Sequence, residues 1–305
     1  MFHEAEKRNL KILFDYVISY SSIHHPWFQE SAKQEKNKYS NWYIWTDNQW
    51  VNPPQAYRDA FIKGYSRRNG QFMRNFLTSY MDQYEKTVGH GYINLPLGNH
   101  DLSRLNIKRS TDDLEVIYAF SLTMPGIPFI FYGNEIGMRQ LYGLPFVEGA
   151  YKPRAGGRTP MQWNDGVNRG FSSADPEQLY LPVDTEEDAP NVKDQESDPN
   201  SLLNRVRRLI DLKKSEPAFT AYAEFVPVYA VENEYPFVYA RANGDDMALV
   251  ILNPREKAAS AEFDLKPAVS ELELLAGTEL KIKRDGSSYD LDIPGRSYAI
   301  YKMIK

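Results

Sequence analysis

Residues 91 to 133 constrain the fold more than any other stretch, because they set two short apolar runs on either side of one helix-like segment. The runs are Tyr92 to Leu97 and Ile127 to Tyr132. Strands joined through a single helix lie parallel, since a parallel pair needs a crossover connection of about a dozen residues or more. The helix is expected to start near Ser110, with Asp112 and Asp113 in a first turn whose dipole favours acids, and to stop at Pro125-Gly126. Each strand runs out into polar residues, Gly98-Asn99-His100-Asp101 after the first and Gly133-Asn134-Glu135 after the second. The C-terminal ends of strands are where α/β barrels place their chemistry.

Around this βαβ unit the text is less regular. Residues 3 to 8 are helix-prone, Asn9 suits a left-handed cap, and Ile12-Leu13-Phe14 with Val17-Ile18 read as a buried strand. Ser21 to Phe28 is loop-like, and Asn41 to Thr46 is aromatic without a period. Asn52-Pro53 opens a helix running to about Arg68. A second helix carries Phe72, Met73, Phe76, Leu77, Tyr80, Met81 and Tyr84 at three- and four-residue spacing and ends at Gly89; that stripe is core. Residues 141 to 200 read as long surface loops, and 201 to 214 as an amphipathic helix. Beyond 222, short alternating runs such as Phe237 to Arg241 and Met247 to Asn253, parted by turns at Asn243-Gly244-Asp245 and Asp285-Gly286, predict a small antiparallel sandwich. The division expected is 1–221 for an α/β region and 222–305 for the sandwich.

Composition narrows the function classes. A net charge of −5 and no basic patch argue against a nucleic-acid partner. Without cysteine there is no disulfide, thiolate metal site or catalytic thiol. The charged start, Met1 to Phe14, does not read as a secretion signal, no apolar run suits a membrane span, and a cytoplasmic location is expected. The 21 Tyr and 5 Trp suit sugar-stacking surfaces, although aromatic cores use the same residues.

Three motifs carry a family resemblance. Arg158-Thr159-Pro160-Met161-Gln162-Trp163 is followed by Gly170-Phe171-Ser172, Asn191-Val192, Gln195 and the Ser201-Leu202-Leu203 helix. Gly98-Asn99-His100-Asp101 is followed by Arg104, and Gly126 to Met138 forms the third motif. In this order they resemble the α-amylase superfamily of glycoside hydrolases (family 13), in its α-glucosidase and oligo-1,6-glucosidase branch. The resemblance implies a (β/α)8 barrel, with these motifs at its seventh and eighth strands, followed by a C-terminal antiparallel β-sandwich.

A retaining glycosidase needs two carboxyl groups about 5–5.5 Å apart, one to attack the anomeric carbon and one to protonate the leaving oxygen. By resemblance Asp101 is a third, transition-state-stabilising carboxylate, while His100, Arg104, Asp15 and Tyr20 bind substrate. Read without the family, the Asn-His-Asp loop is a capped turn.

The sequence also departs from the family. Phe14 to Ser22 and His25-Pro26-Trp27-Phe28 resemble the third-strand region, but Ser19 and Tyr20 stand where an Asn and a His are expected. That removes a sugar contact and an amide often used as a calcium ligand; no metal or cofactor is implied. A Gly-Phe-Arg-x-x-Asp-like nucleophile motif and a strand ending in an acid Glu are not found, and Glu135 is read as structural. Only two helices are expected between Trp45 and Gly91, and the chain opens just ahead of the third strand. The expected fold is therefore α/β, an incomplete barrel remnant followed by the sandwich. The expected function is that of an α-glucosidase-family protein impaired in catalysis, or alternatively a non-catalytic carbohydrate-binding or interaction protein. Its partners would be an α-glucoside or malto-oligosaccharide, weakly held, and a second copy associating through exposed barrel edges.

Overall fold

The computed structural model describes residues 7–8, 24–33, 35–40, 80–81, 84–89, 91–150, 154–231, 234–266 and 269–304. The strand expected over 12–18, with Asp15, Ser19 and Tyr20, lies outside the described residues, as do the 41–46 run and the helices up to 79. The chain divides into two compact units, residues 1–66 and 67–305.

In the first unit, Ser21 to Phe28 is not wholly loop. Helix α1 (Pro26–Ser31) starts where the His25 Nδ1 accepts from the Trp27 amide at 3.2 Å, with Pro26 in the first turn. Proline fits there because its missing N–H would have no helical partner. The ring of Trp27 stacks on Tyr39, with centroids 6.4 Å apart.

The second unit opens with helical residues at 80–81 and 84–87, which bury Tyr80 and Tyr84. Gly89 follows at φ +80, the left-handed end expected of it. Strand β1 (Asn94–Pro96), helix α2 (Thr111–Thr123) and strand β2 (Ile127–Phe129) then form the βαβ unit, with β1 and β2 parallel and Leu95 opposite Pro128. The strands are shorter than their apolar runs. Tyr92 and Ile93 lead into β1 outside the ladder, and residues 132–137 already turn. Gly126 enters β2 at φ +90, and a Cβ there would sit 2.5 Å from the Ile93 carbonyl oxygen, so only glycine lets the two chains approach. Helix α2 begins with a reciprocal cap: Ser110 Oγ accepts from the Asp113 amide at 3.2 Å, and Asp113 Oδ2 accepts from the Ser110 amide at 2.8 Å.

Among the described residues, 141 to 200 contain little regular structure beyond single 3-10 turns and helix α3 (Val192–Ser197), which Asn191 caps. Helix α4 (Leu202–Ser215) is capped by Ser201 and buries Leu202, Leu203, Val206 and Leu209. Eight antiparallel strands follow: β3 (Glu224–Tyr229), β4 (Phe237–Asn243), β5 (Asp246–Asn253), β6 (Ala259–Asp264), β7 (Glu271–Gly277), β8 (Ile282–Asp285), β9 (Ser288–Ile293) and β10 (Ser297–Ile304). They form a five-stranded sheet in the order β3-β4-β5-β10-β7 and a three-stranded sheet in the order β6-β9-β8.

The alternation expected of Met247 to Asn253 is not what the structure shows, because every one of these residues is buried. Both faces of the five-stranded sheet are covered. Phe237, Tyr239, Val250 and Ile300 pack with Tyr118, Leu122, Val206 and Leu209 of α2 and α4. Val238, Leu249, Ile251 and Tyr301 pack with Phe263, Leu291 and Ile293 of the smaller sheet. A strand covered on both sides reads as a continuous apolar run. Among the described residues, no helix is long and apolar enough to cross a membrane.

Candidate functional site

Asp101 stands in the turn that leaves β1. Asn99 shapes that turn, its Oδ1 accepting from the amides of Asp101 at 2.8 Å and Leu102 at 3.1 Å. This is the capped turn that a purely local reading gives. What lies around it is not local. Asp101 Oδ1 receives two guanidinium groups, Arg154 Nη1 and Arg158 Nη2, each at 3.0 Å. His100 Nε2 lies 3.7 Å from the other oxygen, and both side chains of this His-Asp pair are open to solvent.

Arg158 does more than pair with Asp101. Its Nε donates to the His100 carbonyl at 2.7 Å, and its Nη1 donates to the Gly149 carbonyl at 2.6 Å. One side chain thus ties the β1 exit to the 149–158 loop. The sequence pointed to Arg158 only as the first letter of a motif and assigned it no task, while Arg154 drew no attention. An arginine in a glycine-rich loop has too many possible partners for the pairing to be read locally.

Arg104 sits elsewhere than expected. Its side chain is only 2% exposed, packed over the rings of Phe131 at 5.0 Å and Tyr132 at 4.6 Å, and it donates to the Tyr132 carbonyl. Its amide donates to Gln140 Oε1 at 3.0 Å. Burial holds its pKa below the usual arginine value, with Tyr132 and Glu135 opposing that shift. The residue props the strand exits from beneath instead of lining a cleft. Glu135 is half-buried close by, and burial raises its carboxyl pKa. Asp15 and Tyr20 lie outside the described residues, so their placement against Asp101 is not described.

Beside Arg158 runs a groove of about 470 Å³ bounded by Tyr132, Glu135, Met161, Trp163, Phe171 and Tyr180. Trp163, Phe171 and Tyr180 are each about half exposed or more. Flat exposed rings beside a carboxylate and guanidinium groups can hold a sugar, whose C–H face packs on the ring while its hydroxyls bond to the charged groups.

The motif residues around the groove hold the long loops in place. Val192 and Lys193 amides donate to the carbonyls of Gln162 and Trp163 at 3.0 and 2.9 Å. The Gln195 side chain donates to the Ile136 carbonyl at 2.8 Å and accepts from the Leu203 amide at 3.0 Å. Arg139 clasps Asp184 through Nε and Nη2 at 2.6 and 3.0 Å and reaches Asp188 at 2.7 Å. These bonds give a loop region the fixed geometry that its sequence lacks in helices or strands.

The family described as alpha amylase, catalytic domain, matches residues 1–79 and 63–222. An oligo-1,6-glucosidase of Parageobacillus thermoglucosidasius is 29% identical over 213 residues, 58% of this chain and 37% of the relative. A trehalose synthase/amylase of Mycobacterium tuberculosis is 30% identical over 202 residues, 63% of this chain and 32% of the relative. The isomaltulose synthase structure from Erwinia rhapontici NX5 superposes with a TM-score of 0.58 at 23% identity, covering 75% of this chain and 46% of that one. The chain therefore spans about a third of the curated relatives' length and under half of the solved structure's. That likeness is one of fold, and the antiparallel sheets expected beyond residue 222 are present. With a match running across residues 1–222 of 305 and oligo-1,6-glucosidase and trehalose synthase among its relatives, the chain belongs to the α-amylase family and is α-glucosidase-like.

Proposed function

We propose that this protein binds α-glucosides weakly and does not hydrolyse them by the two-carboxylate mechanism of its family. The observation that carries the reading is the state of Asp101, whose Oδ1 is shared by Arg154 and Arg158 at 3.0 Å each. A carboxylate so engaged can orient a sugar hydroxyl through its other oxygen, but a retaining mechanism also needs a nucleophile and an acid. Between the third-strand motif and the seventh, the sequence contains neither motif, and the Glu135 that borders the groove is half-buried. The α-glucoside class is supported by the relatives, named oligo-1,6-glucosidase and trehalose synthase. We read residues 1–221 as a barrel reduced between its third and seventh strands, and 222–305 as the sandwich that follows it.

The exposed rings of Trp163, Phe171 and Tyr180 favour carbohydrate binding without catalysis as the retained property. The test is an assay of glucose release from maltose, isomaltose and an aryl α-glucoside. No release is expected. Turnover that survives repurification and disappears in Asp101→Asn overturns the proposal.

A further inference from the structure

A second cleft, sharing no lining residue with the groove beside Arg158, lies where α2 and α4 meet β7 and β10. Its volume is about 520 Å³, within the range of small-ligand pockets. An irregularity in the sheet borders the cleft. Between Ile300 and Tyr301 the β10–β7 register shifts, which leaves Leu275 as an extra residue in β7. At the end of that strand Gly277 takes φ +90, and a Cβ there would lie 2.3 Å from the Tyr298 carbonyl oxygen. Leu209, Leu212 and the extra residue Leu275 supply the apolar part of the cleft's lining.

Fixed polar groups supply the rest. Glu115 accepts from Arg205 Nη1 at 2.7 Å on one oxygen and from the Tyr298 hydroxyl at 3.0 Å on the other. Arg296 bonds Glu256 at 2.8 Å and lies 3.5 Å from Asp113. Arg208 donates to the Pro199 carbonyl at 2.8 Å, which uses only part of a five-donor guanidinium. Three arginines and two carboxylates, Asp112 and Glu115, line the cleft, and Asp113 and Glu256 outside the lining pair with Arg296, so the charges nearly balance. That balance does not favour an anion, and the arginine partners of these carboxylates do not favour a cation. A neutral ligand with an apolar face and several hydroxyls fits both the apolar and the polar lining.

We propose that this cleft is a second saccharide site, separate from the Asp101 groove. The choice of an α-glucan as the ligand rests on the α-glucoside reading given above; the neutral, polyhydroxylated class rests on the cleft itself.

Amide hydrogen exchange, followed by peptide, tests it on the intact chain with millimolar maltotriose. Slower exchange is expected in the segments covering 205–212 and 272–278. It is expected to vanish in Thr278→Trp, which fills the cleft, and to persist in Asp101→Asn. Arg208→Ala, at an exposed helix position, provides a second variant should the tryptophan disturb folding; it should need about tenfold more maltotriose for the same protection. Protection retained in the variants that alter the cleft overturns the proposal, as does protection produced equally by sulfate, or none with either maltotriose or isomaltose. If isomaltose protects where maltotriose does not, the site stands and the α-1,4 probe was the wrong linkage. Failure of binding at the Asp101 groove alone leaves the protection of 205–212 and 272–278 intact, so the two readings fail separately.

Discussion

Arg241, on β4, donates through its guanidinium to the main-chain carbonyl of Thr123 in the last turn of α2. The same side chain reaches the carbonyls of Thr220 at 2.8 Å, Ala223 at 3.1 Å and Glu224 at 3.2 Å. It is fully buried, and burial lowers its pKa to about 10. The last carbonyls of a helix have no partners within the helix, and here a cation supplied by the sheet satisfies one of them. Methionine at this position keeps much of the volume and takes this donor from the Thr123 carbonyl, while the Thr220 and Ala223 carbonyls keep the Ala223 amide at 3.2 Å and the Tyr84 hydroxyl at 3.4 Å. An unsatisfied buried acceptor costs about 1–3 kcal/mol, so Arg241→Met should lower stability by about that much in urea unfolding. A loss below about 1 kcal/mol would show that the carbonyls find water instead.

Lys213, in the last turn of α4, donates to the Phe219 carbonyl at 3.0 Å, and its pKa is lowered to about 8 by burial and by the Arg241 charge. Its unfolded value is about 10.4. Between the two the unfolded chain binds the proton and the folded one does not, so stability should rise as pH increases from about 8 towards 10. Lys213→Met should flatten that rise relative to the parent and add about 1–2 kcal/mol at pH 7, discounted because the side chain is part-exposed. Paired urea melts across this window give the measurement. A rise of the same slope in both proteins would assign the titration to another group.

Much of the fold was legible in the sequence. Tyr92 to Leu97, Ser110 to Gly126 and residues 201 to 214 signal their elements through local pattern, and the structure places β1, α2 and α4 there. What was not legible depends on distance. Arg241 finds Thr123 across 118 positions and Arg158 finds Asp101 across 57, and neither pairing leaves a periodic trace. Arg104 shows the same limit, because its position after Asn-His-Asp suits either an open cleft or the stack on the Phe131 and Tyr132 rings. Helix α1 was missed although Pro26 marks its first turn, since six residues are too few to show a helical period.

At the candidate site, Asp101→Asn and Arg158→Ala should not be equivalent. The ion pair is part-exposed, and its coupling energy in a double-mutant cycle should be at most about 1 kcal/mol. Arg158→Ala also releases the His100 and Gly149 carbonyls, so it should cost more stability than Asp101→Asn and speed amide exchange across residues 154–158. Equal costs would mean that the carboxylate contact alone matters.

Maltose or glucose should bind the Asp101 groove no tighter than about 1 mM, equivalent to about −4.1 kcal/mol. A few hydrogen bonds to charged groups, worth about 1.5–3 kcal/mol each at best, are set against an association cost of roughly 4–15 kcal/mol. Micromolar affinity by calorimetry, lost in Asp101→Asn, would mean that a closed pocket forms.

Calcium should leave the melting temperature unchanged. The ion takes about 6–8 oxygen ligands, and among the described residues no group of three or more acidic or histidine side chains converges. A clear upward shift in a calcium titration would reveal a site supplied from elsewhere in the chain.

The apolar layer that joins Tyr118, Leu122 and Leu209 to Phe237, Val250 and Ile300 has a practical outcome for anyone dividing this chain. A cut near 222 does not free two modules; it splits one interior into two sticky halves. The sandwich expressed alone would present Phe237, Tyr239 and Ile300 to water, and the α2–α4 layer would lose the sheet it rests on. Neither half should be recovered soluble, while the two co-expressed should find each other, and calorimetry of the uncut chain should show residues 91–304 melting in a single step.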